Sequence, residues 1–315
     1  MHPAYSVILF TTASGAGYGL LVWLAVFGLL GVAPLTPEFG FTGFTLALGL
    51  VSIGLLSSTF HLGRPERAWR AVTQWRSSWL SREGVAALAT YLPAGALAIG
   101  WVFFENVNGA YVAAVILTIA GALVTVWCTG MIYASLKTIH AWHQPLVAPL
   151  YLVLGLATGA VLVDFLLRVF AAETRVTAAL ATVLLALGLA LKLAYWRMID
   201  RSDNATSPES ATGLGRFGKV RPLEPPHTQP NYVMREMGYR VARKHALKLR
   251  RFVIVLAFAV PIVALLLALG LSAPIGLIAS AIAVLSVATG IAVERWLFFA
   301  EAKHVVMHYY QPSGA

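Results

Sequence analysis

A histidine and a glutamate stand at the two ends of a short basic segment that separates two long apolar runs. The segment, residues 58–85, reads STFHLGRPERAWRAVTQWRSSWLSREGV and contains five arginines and three tryptophans. His61 ends the preceding apolar run and Glu83 opens the next one. Histidine titrates near neutral pH, and a carboxyl group partly removed from water titrates closer to neutrality than a solvated one. The pair is therefore suited to exchanging protons with a small molecule at a membrane surface.

A quinone needs such neighbours, because its two carbonyl oxygens take up two protons when it accepts two electrons. The alternative interpretation of the pair is structural. Ser81 would cap the third apolar helix, and Glu83 in its first turn would complement the helix dipole. His61 would lie at the level of the lipid headgroups, and the three tryptophans would form an interfacial aromatic belt.

The composition is that of a membrane protein. Of the 315 residues, 59% are hydrophobic and 11% are charged, whereas a soluble domain carries about 25% charged residues. A helix needs roughly 20 mostly apolar residues to cross a bilayer, and helices satisfy their own backbone hydrogen bonds in lipid. The chain therefore predicts an all-α bundle of eight transmembrane helices, at residues 5–33, 41–61, 85–104, 111–136, 147–170, 176–196, 252–270 and 275–299.

The distribution of basic residues predicts the orientation of the bundle. Eight spans place both termini on one side, together with the loops 62–84, 137–146 and 197–251. That side carries all of the 23 lysines and arginines except Arg168 and Arg175. By the positive-inside rule it faces the cytoplasm. We therefore expect both termini to be cytoplasmic and the chain to lie in the bacterial cytoplasmic (inner) membrane.

The same pattern divides the chain into three parts. Residues 1–196 hold six spans and the loop 62–84, residues 197–251 form a basic cytoplasmic loop, and residues 252–315 hold two spans and a tail. The end of the basic loop, YVMREMGYRVARKHALKLRR, favours a helix at the membrane interface. It either attracts anionic membrane lipid or docks a cytoplasmic partner.

Small residues and a tyrosine crowd the first span, in the stretch TTASGAGYG at residues 11–19. Ser14 and Gly17 permit close helix packing. They would equally leave room for a flat ring beside Tyr18.

Charged residues inside spans are candidates for function. Asp164 and Arg168 are four residues apart, so they form either an intrahelical pair or part of a proton path or gate. Lys192 is expected to extend to the membrane edge. Glu294 and Arg295 are adjacent, and each is expected to find a partner elsewhere.

The remaining residues exclude several classes of site. His140 and His143 lie at or beyond a membrane edge, whereas a buried haem takes histidines inside facing spans, so no haem and no metal ligand are predicted. The chain has no nucleotide loop, no Ser/His/Asp arrangement and no basic fold for nucleic acid. The single cysteine, Cys128, cannot form an internal disulfide.

The segment FHLGRPERAW…SSWLSREG resembles the signature of the membrane-anchor subunit of the dimethyl sulfoxide reductase family, one of the polysulfide-reductase-like eight-span anchors. The stretch ERWLFFAEAKHVVMHYY at residues 294–310 is a weaker second similarity. The resemblance implies an anchor without haem that exchanges electrons with a ubiquinone or menaquinone pool. It also implies two partners, an iron–sulfur electron-transfer subunit and a molybdopterin catalytic subunit.

The resemblance further implies residue roles. In the family, the histidine of the FHLG motif and the acidic residue that opens the third span are linked to quinol binding, which assigns His61 and Glu83. Four further residues are predicted around the same quinone: Ser14, Gly17, Tyr18 and Arg64. Four arginines are predicted to dock the partner: Arg67, Arg70, Arg76 and Arg82. No residue is assigned a catalytic role on the primary substrate.

The predicted orientation indicates which group of anchors within this family the chain resembles most. In the reductase that names the family, the anchor's termini lie on the outer side, whereas the charge distribution here places them in the cytoplasm. The chain in this respect resembles the anchor of cytoplasm-facing sulfite:quinone oxidoreductases, which implies sulfite oxidation coupled to quinone reduction. Two other hypotheses stay open, a transporter or ion-translocating subunit motivated by Asp164, and a passive anchor that only tethers its partners.

Overall fold

The computed structural model describes residues 4–172, 175–201, 207–224, 229, 231–237 and 245–310, and of His61 and residues 235–237 it describes the backbone alone. Eight of the described helices are long and apolar enough to cross a membrane. They are α1 Tyr5–Leu29, α2 Pro37–Ser57, α3 Trp79–Phe104, α4 Tyr111–Ala134, α5 Val147–Val169, α6 Arg175–Arg201, α7 Ala246–Gly270 and α8 Ala273–Ala300. The predicted all-α fold with eight spans is confirmed.

Local capping signals set the helix ends more sharply than hydropathy does. α2 begins four residues before the predicted position, because the Thr36 side chain accepts a hydrogen bond from the Phe39 backbone N–H at 3.4 Å and Pro37 occupies the first helical position. α1 ends at Leu29, because Gly31 adopts a left-handed conformation with φ of 67°.

The start of α3 differs most from the sequence prediction. The Ser78 side chain caps the helix by accepting a hydrogen bond from the Ser81 backbone N–H at 3.5 Å, so the helix begins at Trp79. Ser81 is therefore not the cap, and Glu83 lies in the second helical turn. The structural alternative that placed Glu83 in the first turn, beside the helix dipole, was wrong.

The predicted loop 62–84 is largely helical. A 3₁₀ turn at Ser58–His61 continues α2, and a longer 3₁₀ segment at Pro65–Gln74 precedes α3. The basic segment after α6 is helical at Tyr232–Met237, and its end forms the first turns of α7. Residues 238–244, on which the predicted interfacial helix depends, lie outside the described residues.

The centre of the bundle is the contact between α1 and α5. A methyl group built on Gly19 would overlap the Gly155 carbonyl oxygen, and one built on Gly159 would overlap the Gly19 carbonyl carbon. The two backbones therefore touch, as in other membrane helix pairs that cross at small residues. α2, α4, α6 and α8 pack around this pair, α3 against α4, and α7 against α8 and α6.

The contact between α7 and α8 depends on an irregular helix. Residues Ile254–Ala259 of α7 form wide π-helical turns. At this level Gly290 of α8 lies so close that an added methyl group would overlap the Ala257 nitrogen. Ser286 donates a hydrogen bond to the Leu256 carbonyl oxygen at 2.7 Å. The widened turns thus bring the two last helices together.

We expect Gly19→Ala to lower stability, since the new methyl group overlaps a backbone atom that has no room to move. Overpacking of this kind costs about 1–3 kcal/mol. The measurement is the temperature at which half of the detergent-solubilised protein remains folded. Gly15→Ala is the matched control on the same helix, because its methyl group would meet nothing within 4 Å. Equal midpoints for the two variants would contradict the central contact.

Candidate functional site

A cavity of about 540 Å³ opens at the end of the bundle where α1 begins and α8 ends. Its walls come from the first turns of α1 and α3 and from the last turns of α2 and α4, and the 3₁₀ segment Pro65–Gln74 covers it. The lining is mostly apolar, and Glu83 is the charged side chain among the described lining residues. Cavities of roughly 300–1,000 Å³ with few polar groups are typical sites for small organic molecules.

Glu83 lies in the cavity wall and is only 3% exposed. Its Oε1 atom contacts the hydroxyl of Thr129 on α4, which is also 3.1 Å from the Thr125 carbonyl oxygen. An ionised carboxylate accepts a hydrogen bond from this hydroxyl. A protonated carboxyl can donate to it instead, while the hydroxyl donates to the Thr125 carbonyl. The arrangement therefore accommodates both protonation states of Glu83.

Residues 65–76, here called the roof, comprise the 3₁₀ segment Pro65–Gln74 and the two residues that follow it, and they have two chemically different faces. Ala68, Ala71 and Val72 turn inward and line the cavity. The outer face carries arginines and aromatic side chains that are exposed to solvent. The hydroxyl of Ser81 donates a hydrogen bond to the Ala71 carbonyl oxygen and so ties the roof to α3. An apolar underside and a basic upper side follow from the helical spacing of these residues.

Arg82 serves mainly to hold the roof in place. Its Nε atom donates to the Trp75 carbonyl oxygen at 2.9 Å, and an Nη atom donates to the Arg76 carbonyl oxygen at 2.7 Å. The guanidinium also lies 4.3 Å from the centre of the Trp79 ring. Because of these three contacts, Arg82 is less free to contact a partner protein than the other arginines that were predicted to dock it.

The remaining predicted arginines lie on the outer surface. The side chains of Arg64, Arg67, Arg70 and Arg76 are all exposed. Arg70 and Arg76 stack loosely over the neighbouring tryptophan rings, at 5.5 and 5.4 Å from the ring centres. They form a basic and aromatic surface directly above the cavity.

The backbone of His61 stands at the edge of the cavity. It ends the 3₁₀ turn that continues α2, and its neighbours Ser58, Thr59 and Leu62 line the cavity. The His61 side chain lies outside the described residues. Its predicted role in proton exchange therefore stays a prediction.

The predicted residues of α1 lie away from this cavity. The Ser14 hydroxyl donates to the Phe10 carbonyl oxygen at 2.6 Å. Gly17 faces α2, where an added methyl group would lie 2.6 Å from the Ala47 carbonyl oxygen. Tyr18, only 2% exposed, borders a separate space of about 10 Å³, which is too small for a ring. The geometry of these residues is that of helix packing.

An aromatic wall closes the cavity on its inner side. Tyr133, Trp142 and Phe299 line it, and Tyr133 stacks on Tyr151 with ring centres 5.7 Å apart. The Trp142 indole N–H donates to the Phe298 carbonyl oxygen at 3.0 Å and so fixes the wall to α8.

The two histidines beyond α4 take part in local contacts. His143 Nδ1 is 2.6 Å from the Ala134 carbonyl oxygen, and His140 Nε2 is 3.3 Å from the Gln144 side chain. In the part of the chain that the structure describes, no three His, Cys, Asp or Glu side chains are placed to hold a metal ion.

Asp164 lies at the opposite end of the bundle, where it is fully buried and fully paired. Arg168 Nε donates to its Oδ2 atom at 2.9 Å, Ser280 donates to the same oxygen at 3.0 Å, and Thr177 donates to Oδ1 at 2.8 Å. Arg168 also contacts the Ala268 carbonyl oxygen at 3.3 Å. These bonds join α5 to α6, α7 and α8. They favour the structural pair over a proton path or gate.

Three further charged residues in spans, Lys192, Glu294 and Arg295, form a second buried group, which differs in part from the sequence expectation. Lys192 does not reach the membrane edge, because its Nζ atom contacts Glu294 Oε1 inside the bundle. The expectation for Lys192 was wrong, since the depth of a side chain depends on tertiary packing. Glu294 does find a partner elsewhere in Lys192, but its Oε2 atom also lies 3.1 Å from Nη1 of the adjacent Arg295.

Sequence reasoning missed two residues that shape the cavity. Thr129 is the hydrogen-bond partner of Glu83, and Tyr133 stands in the wall one turn later. Thr125, Thr129 and Tyr133 recur at intervals of four, which places them on one face of α4. This row of residues on α4 was the signal that the sequence offered for the two residues, although it does not show which helix the row faces.

The family model of the DMSO reductase anchor subunit (DmsC) matches residues 1–300. A sulfite dehydrogenase subunit of Allochromatium vinosum is 35% identical over 329 aligned positions, which cover 99% of each chain. No solved structure matches the chain.

We expect Asp164→Asn to reduce stability without a change at the cavity, because Arg168 would stay buried without a counter-charge. Breaking a buried pair in this way costs about 3–5 kcal/mol. Thermal unfolding of the detergent-solubilised protein measures the loss. Glu66→Gln is the control, since the Glu66–Arg67 pair is exposed and its atoms are 4.0 Å apart. An unchanged midpoint in Asp164→Asn would argue against the structural assignment.

Proposed function

The chain belongs to the family of the DMSO reductase anchor subunit, and from that premise we propose that it passes electrons between a partner iron–sulfur subunit and quinone. It is a multi-pass membrane protein and the membrane anchor of an oxidoreductase. The anchor role implies two partners, one catalytic and one that carries iron–sulfur clusters. In the proposal the catalytic partner holds molybdopterin.

The observation that carries the proposal is the cavity beneath the roof. Its volume of about 540 Å³ and its apolar lining suit a hydrophobic ring. Glu83 supplies a carboxyl group in the wall, with Thr129 able to serve either protonation state. The cavity lies at one end of the bundle, between the ends of helices, where a lipid-soluble molecule arrives from the bilayer.

The proposed chemistry assigns proton transfer to this chain. A quinone gains two electrons and two protons on full reduction. Glu83 holds one proton at its carboxyl group, and His61, at the cavity edge, exchanges protons with the aqueous side.

The other four quinone-site residues named from the sequence have supporting or outer positions in the proposal. Ser14, Gly17 and Tyr18 pack α1 so that its first turns can border the cavity. Arg64 lies exposed beside the roof. None of the four is proposed to exchange protons with the ring.

The basic outer face of the roof is the proposed docking surface for the iron–sulfur subunit. Arg67, Arg70 and Arg76 are exposed there. Other residues of the roof, at positions 68, 71 and 72, line the cavity. A basic patch attracts an acidic protein surface and speeds its association. Arg82 supports this surface from within by holding the roof to α3.

The proposed side of the membrane is the cytoplasm, on the basis of charge. In the sequence, all lysines and arginines except Arg168 and Arg175 belong to the segments predicted on the side that holds the loop 62–84, and by the positive-inside rule that side is cytoplasmic. The related protein of Allochromatium vinosum carries the name sulfite dehydrogenase. Sulfite is accordingly the proposed electron donor to the complex, with the quinone of the bacterial cytoplasmic membrane as acceptor.

The competing hypotheses have less support. Asp164 motivated a transporter, yet three hydrogen bonds and a buried partner account for it as a structural residue. A passive tether has no need of a cavity with a buried carboxyl group in its wall. Saturable binding of a quinone analogue to the complex distinguishes the tether from a quinone-reacting anchor.

We expect His61→Ala and Glu83→Gln to abolish quinone-linked turnover of the complete complex. With sulfite as donor, the rate with decylubiquinone should fall to background, because the proton supply to the ring is lost. The rate with ferricyanide, which takes electrons from the partner subunits, should be unchanged. Glu105→Gln is the control, because Glu105 is an exposed carboxylate at the opposite end of α3. Full decylubiquinone turnover in both variants would refute the proposed roles.

The proposed orientation is tested by labelling of introduced cysteines. Ser77→Cys lies beside the roof and Asn108→Cys in the loop after α3, and both positions are exposed. The native Cys128 is buried, so background labelling should be low. In intact cells a membrane-impermeant maleimide should label Asn108→Cys alone, and in inside-out vesicles Ser77→Cys alone. The reverse pattern would place the roof outside.

A further inference from the structure

Three charged side chains are buried together behind the aromatic wall, and the proposed quinone site does not require them. Lys192 of α6 and Glu294 and Arg295 of α8, here called the charge group, have side chains that are 2%, 1% and 4% exposed. Removing an ion from water costs several kcal/mol, which pairing offsets only in part. Charged side chains inside membrane spans concentrate along paths for ions and protons. The charge group therefore calls for a functional explanation.

On its outer side the charge group leads toward an aqueous pocket. A pocket of about 240 Å³ opens at the same end of the bundle as the cavity, and His140, Asp200, Glu301 and Lys303 are among its lining residues. Arg250 also lines it and contacts Glu301 Oε1 through Nε at 3.0 Å. Burial raises the pKa of the Glu301 carboxyl above its ordinary value, against the opposing effect of Arg250 and Lys192. Arg250 and Lys192 both lie over the Trp196 ring, 5.3 and 5.2 Å from its centre, so the pocket and the charge group meet at this ring.

On its inner side the charge group leads to the quinone cavity. The Arg295 guanidinium lies 3.7 Å from the centre of the Tyr151 ring. Tyr151 stacks on Tyr133, which lines the cavity together with Glu83. Through these contacts a row of charged and aromatic side chains runs from the pocket to the cavity.

Unpartnered atoms lie within this row. The Tyr151 hydroxyl and the Arg295 Nε atom are buried and have no hydrogen-bond partner among the described residues. A buried polar atom without a partner is destabilising, and ordered water commonly satisfies such atoms in proteins. Arg168 at the other end of the bundle also has an unpartnered nitrogen, Nη2, although Asp164 has donors on both of its oxygens. The charge group differs from that pair because contacts lead from it to a pocket and to the cavity.

We propose that Glu301, Lys192, Glu294, Tyr151 and Tyr133 form a proton route from the aqueous pocket to the cavity. The inference rests on the proposed reduction of quinone. That reaction takes two electrons from the partner's iron–sulfur clusters and two protons, one for each carbonyl oxygen. Glu83 delivers one proton. The Tyr133 hydroxyl delivers the other proton. It regains a proton through Tyr151 from the Lys192–Glu294 pair, and that pair takes up protons from the pocket.

The geometry gives each member of the row a distinct task. Lysine and glutamate exchange protons, whereas the arginine guanidinium stays protonated. Arg295 therefore does not relay protons, and it holds Glu294 on one side and the Tyr151 ring on the other. Water at the unpartnered atoms would bridge the step from Glu294 to Tyr151. Two donors on different walls match the two oxygens of a quinone.

The test uses the complete complex with sulfite as donor and decylubiquinone as acceptor. In Glu294→Gln and in Tyr133→Phe we expect kcat to fall about 10- to 100-fold, a modest general acid contribution. The KM for decylubiquinone and the ferricyanide rate should be unchanged. The solvent deuterium isotope effect on kcat should rise, because proton delivery becomes rate-limiting. If Glu294 and Tyr133 had only a structural role, the variants would lower the amount of folded complex and leave the isotope effect unchanged.

Asp164→Asn is the matched control, since it also removes a buried carboxylate paired with an arginine, at the far end of the bundle. Its kcat per folded complex and its isotope effect should equal those of the wild type. Tyr133→Phe decides the question even if Glu294→Gln does not assemble, because it removes only a hydroxyl. Wild-type kcat and isotope effect in Tyr133→Phe would overturn the route. If His61→Ala and Glu83→Gln lose quinone turnover in that case, the quinone site stands and only the route fails. If those two variants keep it, both proposals fall.

Discussion

The contact between the backbones of α1 and α5 is the constraint on which the bundle depends. Gly19 and Gly155 touch with no space for a side chain between them, so these two helices form the centre and the other spans pack around them. α1 also contacts α4 and α8, so its place at the centre puts its first turns beside the ends of those helices. The cavity lies among these helix ends, and the roof covers it.

Hydropathy and charge were sufficient to predict the spans, because the bilayer imposes both a length and an absence of charge on each helix. The boundaries followed from capping instead, as Thr36 and Ser78 show. The motif around Glu83 located one wall of the cavity. Its partner Thr129 and the inner wall at Tyr133 come from another helix. The packing of α3 on α4 is needed to find them, because a single sequence does not specify which faces of two helices meet.

Charged residues inside the spans also show that contacts between helices could not be predicted from the sequence. Spacing along one helix correctly suggested the Asp164–Arg168 pair, since an i, i+4 relation is local. The expectation for Lys192, which rested on its closeness to the membrane edge, was wrong, because its partner is 102 residues away on another helix. The Asp164–Arg168 pair and the charge group stand at opposite ends of the bundle. Both oxygens of Asp164 accept hydrogen bonds, whereas contacts lead from the charge group to a pocket.

The attachment of the roof has a mechanical consequence. Ser81 holds the Ala71 carbonyl and Arg82 holds the Trp75 carbonyl, and both belong to the first turns of α3, immediately before Glu83. A displacement of these turns would therefore move the points of attachment of the roof and the Glu83 carboxyl group together, so the cover of the cavity and its buried acid have a common support.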